Sequence, residues 1–257
     1  MISLRFLGTG GLGSVRIKNT LSKEYRRFST LLIDEKIIID PSEDIFEFVE
    51  SFMLQGMLDE VTDVFITHSH LDHFSLTAIE KLAYRKRIRV FASSSMKDEL
   101  LTLKNIDYIE ISPFAMQNIG KYTVIPLPAN HKTDIPFETT LNYIIESEGK
   151  RIFYALDGAF INAAAMEVLR EISLDAIIID CAMGNEPYSD NSVNHNNLDM
   201  IRIIYDVFKS TNTANENTKF ILSHIPTVKR RFIHDEMCEA TADSPFKIAY
   251  DGYFLGV

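Results

Sequence analysis

The segment Val64-Phe65-Ile66-Thr67-His68-Ser69-His70-Leu71-Asp72-His73 sets three histidines and an aspartate directly behind a short apolar, β-branched run. A run of that length that breaks at once into polar residues predicts a buried strand delivering them at its C-terminal end. His68 and His70 stand two apart, so on extended backbone they point the same way, while Asp72 and His73 follow after the chain has turned. One pair can serve one metal ion and the second pair a neighbouring ion. Imidazole with carboxylate suits zinc, manganese or iron, and sites that keep open positions are the catalytic kind. With seven histidines in the whole chain, such a block arises by chance in on the order of one in several thousand chains of this length.

The elements that must position these residues can be read along the chain. Met1 to Leu7 alternates as a half-buried strand and runs into Gly8-Thr9-Gly10-Gly11-Leu12-Gly13. Ser14 to Arg27 lacks the apolar periodicity of a dinucleotide-binding helix, so the glycines are expected instead to let backbone approach the metal centre closely. Thr30 to Ile33 and Lys36 to Ile39 predict two strands joined at Asp34-Glu35. Glu43 to Leu54 predicts an amphipathic helix capped by Ser42 or Asp44, and Leu76 to Arg87 a second helix with the solvated basic end Arg85-Lys86-Arg87. Strands follow at Ile88 to Ala92, Tyr108 to Ile111, Tyr122 to Leu127, Leu141 to Glu146 and Arg151 to Ala155, with a hairpin turn at Glu148-Gly149. Ile161 to Ile172 and Leu198 to Phe208 read as helices, and Asp175 to Asp180 and Phe220 to Leu222 as strands. Lys229-Arg230-Arg231 is expected within a helix. Lys247 to Tyr250 and Tyr253 to Gly256 are expected to close the chain as a hairpin across Asp251-Gly252.

With 257 residues, 46% hydrophobic and 24% charged, the chain reads as one globular domain spanning 1–257. It has no apolar run long enough to span a bilayer and no signal-peptide pattern at its N-terminus, which predicts a cytoplasmic protein without a membrane partner. Cys181 and Cys238 offer neither a disulfide framework nor a Cys-x-x-Cys zinc pair, and Cys181 reads as a small packed side chain. The net charge of −10 opposes a nucleic-acid partner but not a small anionic substrate, because two divalent cations would dominate the local field.

The block Thr67-His68 to Asp72-His73 resembles the signature of the metallo-β-lactamase superfamily. Later motifs fall in that family's order: His131 in Pro126-Leu127-Pro128-Ala129-Asn130-His131, Asp157 in Tyr154-Ala155-Leu156-Asp157-Gly158, and His224 in Ile221-Leu222-Ser223-His224. The resemblance implies an α/β (α+β) fold, a four-layer αββα sandwich, and a dinuclear hydrolase. Carried over position by position, it implies that His68, His70 and His131 hold one divalent metal ion and Asp72, His73 and His224 the second. Asp157 would bridge the two, and the ions would be zinc or manganese, with iron admissible. Asp40 resembles the family's strand-ending aspartate that braces the histidine loop, although Pro41-Ser42 replaces the customary glycine.

Shorter matches are similar to the phosphoribosyl cyclic phosphodiesterases of the carbon-phosphorus lyase pathway, the PhnP family. They are Tyr25-Arg26-Arg27, Asn130-His131, Asp180-Cys181, Asn194-His195 followed by Leu198, and the ending Tyr250-Asp251-Gly252. That family's early cysteine cluster is missing between Gly13 and Tyr25. The similarity implies a phosphodiesterase on a small cyclic or diester phosphate, with a metal-bridging hydroxide as nucleophile. It further implies Asp72 as the residue orienting that nucleophile and His195 as general acid to the leaving alkoxide. Arg26, Arg27, Lys132 and Lys229 are candidates to steady the phosphate. The alternatives are a ribonuclease of the transfer-RNA maturation type, a thioester or lactam hydrolase, and a non-catalytic metal-binding accessory or carrier protein of a biosynthetic pathway. An edge strand near the N-terminal hairpin could pair two copies as a homodimer.

Overall fold

Thr30-Leu31-Leu32-Ile33 and Ala176-Ile177-Ile178-Ile179-Asp180 are buried at every position rather than at alternate ones, the mark of sheets covered on both faces. The computed structural model, which describes residues 1–189, 193–227 and 233–257, places these runs in two sheets. The first joins β1 (Ser3–Gly8), β2 (Thr30–Ile33), β3 (Ile37–Ile39), β4 (Asp63–Phe65), β5 (Ile88–Ala92) and β6 (Ile106–Glu110). The second joins β7 (Gln117–Ile119), β8 (Tyr122–Pro128), β9 (Leu141–Ser147), β10 (Lys150–Ala155), β11 (Ala176–Asp180), β12 (Lys219–Ser223) and β13 (Phe246–Ile248). The last strand, β14 (Phe254–Gly256), returns to the first sheet and pairs antiparallel with β1.

One core lies between the sheets, where Phe6, Phe65 and Phe91 of the first meet Tyr143, Tyr154 and Ile178 of the second. A second core lies under helices α1 (Asp44–Ser51) and α2 (Leu76–Leu82) and the short α3 (Lys97–Leu100). The third lies under α4 (Ala163–Leu169), α5 (Leu198–Ser210) and α6 (His234–Ala240). These layers make the αββα sandwich. Both expected hairpin turns form with left-handed backbone at each central residue, Asp34 and Glu35 in one and Glu148 and Gly149 in the other.

The sandwich gathers strand ends at one edge. β3, β4 and β5 run parallel and in register, so the segments after Ile39, Phe65 and Phe91 leave the first sheet side by side. β10, β11 and β12 do the same in the second sheet, releasing Asp157, Cys181 and His224 together. Asp40 (φ 53°), Asp157 (φ 53°) and His224 (φ 57°) all adopt left-handed backbone just past their strands. Such backbone is uncommon for non-glycine residues and is held by the surrounding structure.

Several expectations are corrected. The closing segments form no hairpin, because β13 pairs parallel with β12 while β14 crosses to β1 in the other sheet. The turn at Asp251-Gly252 is therefore a crossover, fixed by buried Asp251, which accepts from Arg27 and Thr9. The second helix stops at Leu82 instead of Arg87, and the helix predicted over Ile161 to Ile172 spans only Ala163–Leu169. Neither Ser42 nor Asp44 caps α1, since Asp44 accepts from Phe28 N and Arg16 instead. The edge of the first sheet beside β1 is β14. Lys229-Arg230-Arg231 lie outside the described residues. Among the described residues no helix is long and apolar enough to cross a membrane.

Candidate metal centre

Six histidines and two aspartates converge at this edge. Donor atoms of His68, His70, His131 and Asp157 lie within 4.8 Å of one another, as do those of Asp72, His73 and His224. Asp157 joins the two groups by dividing its carboxylate. Its Oδ2 faces His68 Nε2 at 3.8 Å and His131 Nε2 at 3.6 Å, whereas its Oδ1 faces His73 Nε2 at 3.0 Å and His224 Nε2 at 3.3 Å. Asp72 Oδ2 lies 3.6 Å from His73 Nε2 and 3.9 Å from His224 Nε2, and accepts the backbone N–H of Leu12.

The outward nitrogens of four of these rings are already engaged. His73 Nδ1 lies 2.9 Å from Asp40 Oδ2, and His131 Nδ1 lies 3.1 Å from the carbonyl of Asn194. Both partners are pure acceptors, so both Nδ1 atoms carry the proton. Thr67 Oγ1 spends its hydrogen on Asp40 Oδ2 and therefore accepts from His68 Nδ1; Ser29 Oγ spends its own on the Gly10 carbonyl and accepts from His224 Nδ1. The Nε2 lone pairs of His68, His73, His131 and His224 are thus left facing the centre, the arrangement that second partners impose on metal-binding histidines.

The interior is unsatisfied as protein alone. His73 Nε2, Asp72 Oδ1 and Asp157 Oδ1 are buried with no hydrogen-bond partner. Burial pushes the pKa of His68 and His131 below the ordinary histidine value, which favours the neutral rings that coordinate. Burial opposes charge on Asp157 too, but His224 and His73 beside it outweigh that and hold its carboxyl well below the usual range. Nitrogen and oxygen donors without thiolate fit zinc, manganese or iron. The donor set, the orphaned atoms and the fixed tautomers all suit two cations.

The glycine loop closes one side. A Cβ on Gly11 would stand 2.7 Å from His224 Nε2, so the expected close backbone approach is real and has no room for a side chain. Gly11→Ala is therefore expected to displace His224 and weaken cation binding at the Asp72, His73 and His224 group by about tenfold to a hundredfold. Calorimetric titration of metal-stripped protein reads this directly, and unchanged affinity would show that the loop yields.

His195 stands beside both groups, its ring 5.0 Å from that of His131 and stacked 5.7 Å from that of His224. Asp180, fully buried at the end of β11, holds His195 Nδ1 at 2.8 Å. Burial works against a proton on His195, but the Asp180 carboxylate more than offsets it and raises the pKa to about 9. Asp157, His195 and His224 also bring donors within 4.8 Å of one another, so geometry alone leaves His195 the choice of ligand or acid.

Two of the proposed phosphate contacts fail. Arg26 and Arg27 are fully buried, Arg26 on Thr9 and the Ala249 carbonyl, Arg27 on Asp251, Glu47 and Ser51. They bind the N-terminal loop to the C-terminal crossover. Lys132 is exposed next to His131, and Lys229 lies outside the described residues. Cys181 is fully buried and Cys238 is free. Sequence reasoning had no access to Ser29, Thr67 or Asn194 as partners of the histidines.

The family model for the beta-lactamase superfamily domain matches residues 35–224, and the chain belongs to that superfamily. No curated protein matches the sequence. Among solved structures, the metallo-beta-lactamase fold protein YhfI from Bacillus subtilis is 14% identical with a TM-score of 0.73, over 99% of this chain and 98% of that one. Zn(2+)-bound PqqB from Methylobacterium extorquens is 16% identical with a TM-score of 0.69, over 99% of this chain and 100% of that one. The short form of human tRNase Z is 14% identical with a TM-score of 0.71, over 99% of both chains. At these identities the likeness is one of fold.

Proposed function

We propose that this chain is a dinuclear metal-dependent hydrolase that cleaves a small phosphodiester. The division of the Asp157 carboxylate between two histidine groups carries the reading, because one buried anion shared by two imidazole sets suits two adjacent cations. Bound there, two divalent ions would supply Lewis acidity and a water of lowered pKa. Asp72 Oδ1, buried and without a partner among the described residues, would accept a hydrogen bond from the attacking water, while the Leu12 N–H holds the other oxygen. His195 presents Nε2 to the site with Nδ1 held by Asp180, and would donate its proton to the departing alkoxide.

The resemblance to phosphoribosyl cyclic phosphodiesterases supports the diester bond, whereas the surroundings of the site do not favour a second phosphate. A cavity of about 570 Å³ opens beside His70, walled by Leu12, Leu71 and Phe74 and by the carboxylates of Glu43, Glu99 and Asp134, with no lysine or arginine among the described residues that line it. That surface disfavours a polyanion, and with the net charge of −10 it disfavours transfer RNA as well. The yet coarser readings, thioester or lactam hydrolysis and a non-catalytic metal carrier, keep the same metal centre.

The test is hydrolysis of bis(p-nitrophenyl) phosphate by metal-stripped protein before and after reloading with zinc or manganese. Reloading is expected to raise turnover by at least about a hundredfold. Two bound ions with no diester turnover would overturn the phosphodiesterase reading, and thioester and lactam substrates would separate the rest.

A further inference from the structure

His70 is the exception among the histidines of the first group. Its Nδ1 faces His68 Nε2 at 3.0 Å and His131 Nε2 at 3.1 Å, yet its other nitrogen meets no partner among the described residues. His68 and His131 are aimed by Thr67 and Asn194. His70 has to be aimed through its backbone. On its far side, His73 N and Phe74 N donate to the His70 carbonyl at 2.9 and 2.8 Å. On its near side stands Ser69, whose hydroxyl donates to Glu138 Oε2 at 2.6 Å.

Glu138 belongs to the segment that follows His131 and leads into β9. Its second oxygen accepts from Ser95 Oγ at 2.8 Å, in the turn after β5. Three residues on, Leu141 N donates to the Thr67 carbonyl at 3.0 Å, and between them Thr140 Oγ1 donates to the His131 carbonyl at 3.2 Å. The stretch from Glu138 to Leu141 therefore grips both the loop that carries His68 and His70, from the first sheet, and the loop that carries His131, from the second. Two charge-assisted bonds to one half-buried carboxylate are the strongest of these contacts.

We infer that Glu138 is a positioning residue for the first metal group, fixing His70 against His131 across the two sheets through Ser69. The inference rests on the metal-centre reading above and concerns its geometry, not its chemistry.

Titration of Zn²⁺ into metal-stripped protein, followed by calorimetry, tests it in wild type, Glu138→Ala, Glu138→Gln, Ser69→Ala and the double alanine variant. A His224→Ala background isolates the step that belongs to His68, His70, His131 and Asp157. Glu138→Ala is expected to weaken that step by about tenfold to a hundredfold and to leave the other step within about threefold. Ser69→Ala should match it, the double variant should be no worse than either single one, and Glu138→Gln, which still accepts from a serine, should recover most of the loss. Unchanged affinity, or equal weakening of both steps together with a lower thermal midpoint, overturns the inference. Failure of the wild type to bind zinc overturns the metal-centre reading itself, a different result.

Discussion

Asp157→Ala is expected to lower diester hydrolysis by on the order of 10⁴-fold, about 5.5 kcal/mol of transition-state stabilisation. Among the described residues no other carboxylate reaches both histidine groups. Asp72 approaches His73 and His224 only, and Asp40 spends itself on Thr67 and His73 Nδ1 outside the centre. Without Asp157, Asp72 would remain beside His73 and His224 but no carboxylate among the described residues would stand between the two groups, so two cations there would repel each other with less screening. Metal content, measured by mass spectrometry after dialysis, is expected to fall from two ions to one or none. Asp157→Asn keeps the shape but offers an oxygen to one histidine group only and loses the charge, and should fall between wild type and alanine. Its role as a control is to separate loss of metal from loss of fold, which circular dichroism reports for both. Two tightly held ions in Asp157→Ala with near-normal turnover would remove Asp157 from the centre.

The first half of this centre was legible because its ligands are adjacent in sequence. A strand followed by His68, Ser69, His70, Leu71, Asp72 and His73 needs no tertiary knowledge to be read as a site. Asp157 and His224 are different. Each is a single residue behind an apolar strand, and what turns it into the centre is left-handed backbone that no residue type there announces. Only the family resemblance pointed to them. The burial of Arg26 and Arg27 was invisible for a related reason, since Ala249, which accepts from Arg26, and Asp251, which accepts from Arg27, each lie more than two hundred residues away. The closing turn misled because Asp251-Gly252 has ideal hairpin chemistry locally, while strand pairing is decided by which sheet has an open edge. Glu138 carried no signal at all, being one carboxylate in a polar loop.

His195→Ala divides the remaining alternatives. As proton donor to a leaving alkoxide, His195 matters in proportion to how badly the leaving group needs a proton. For an alkyl phosphodiester its removal is expected to cost about 10² to 10⁴-fold in kcat, whereas p-nitrophenolate departs readily unprotonated and its ester should lose only about tenfold. Asp180 supplies a second, independent reading. Its carboxylate raises the pKa of His195 to about 9, so the donor form persists through neutral pH and is lost as pH rises past that value. Asp180→Asn removes the raising influence, the pKa falls, and the alkaline limb of kcat/KM for the alkyl ester must move to lower pH. Metal content should stay at two ions in both variants. If His195→Ala instead sheds a cation and slows both esters equally, His195 is a ligand with Asp157 and His224, and the proton for the leaving group must come from solvent.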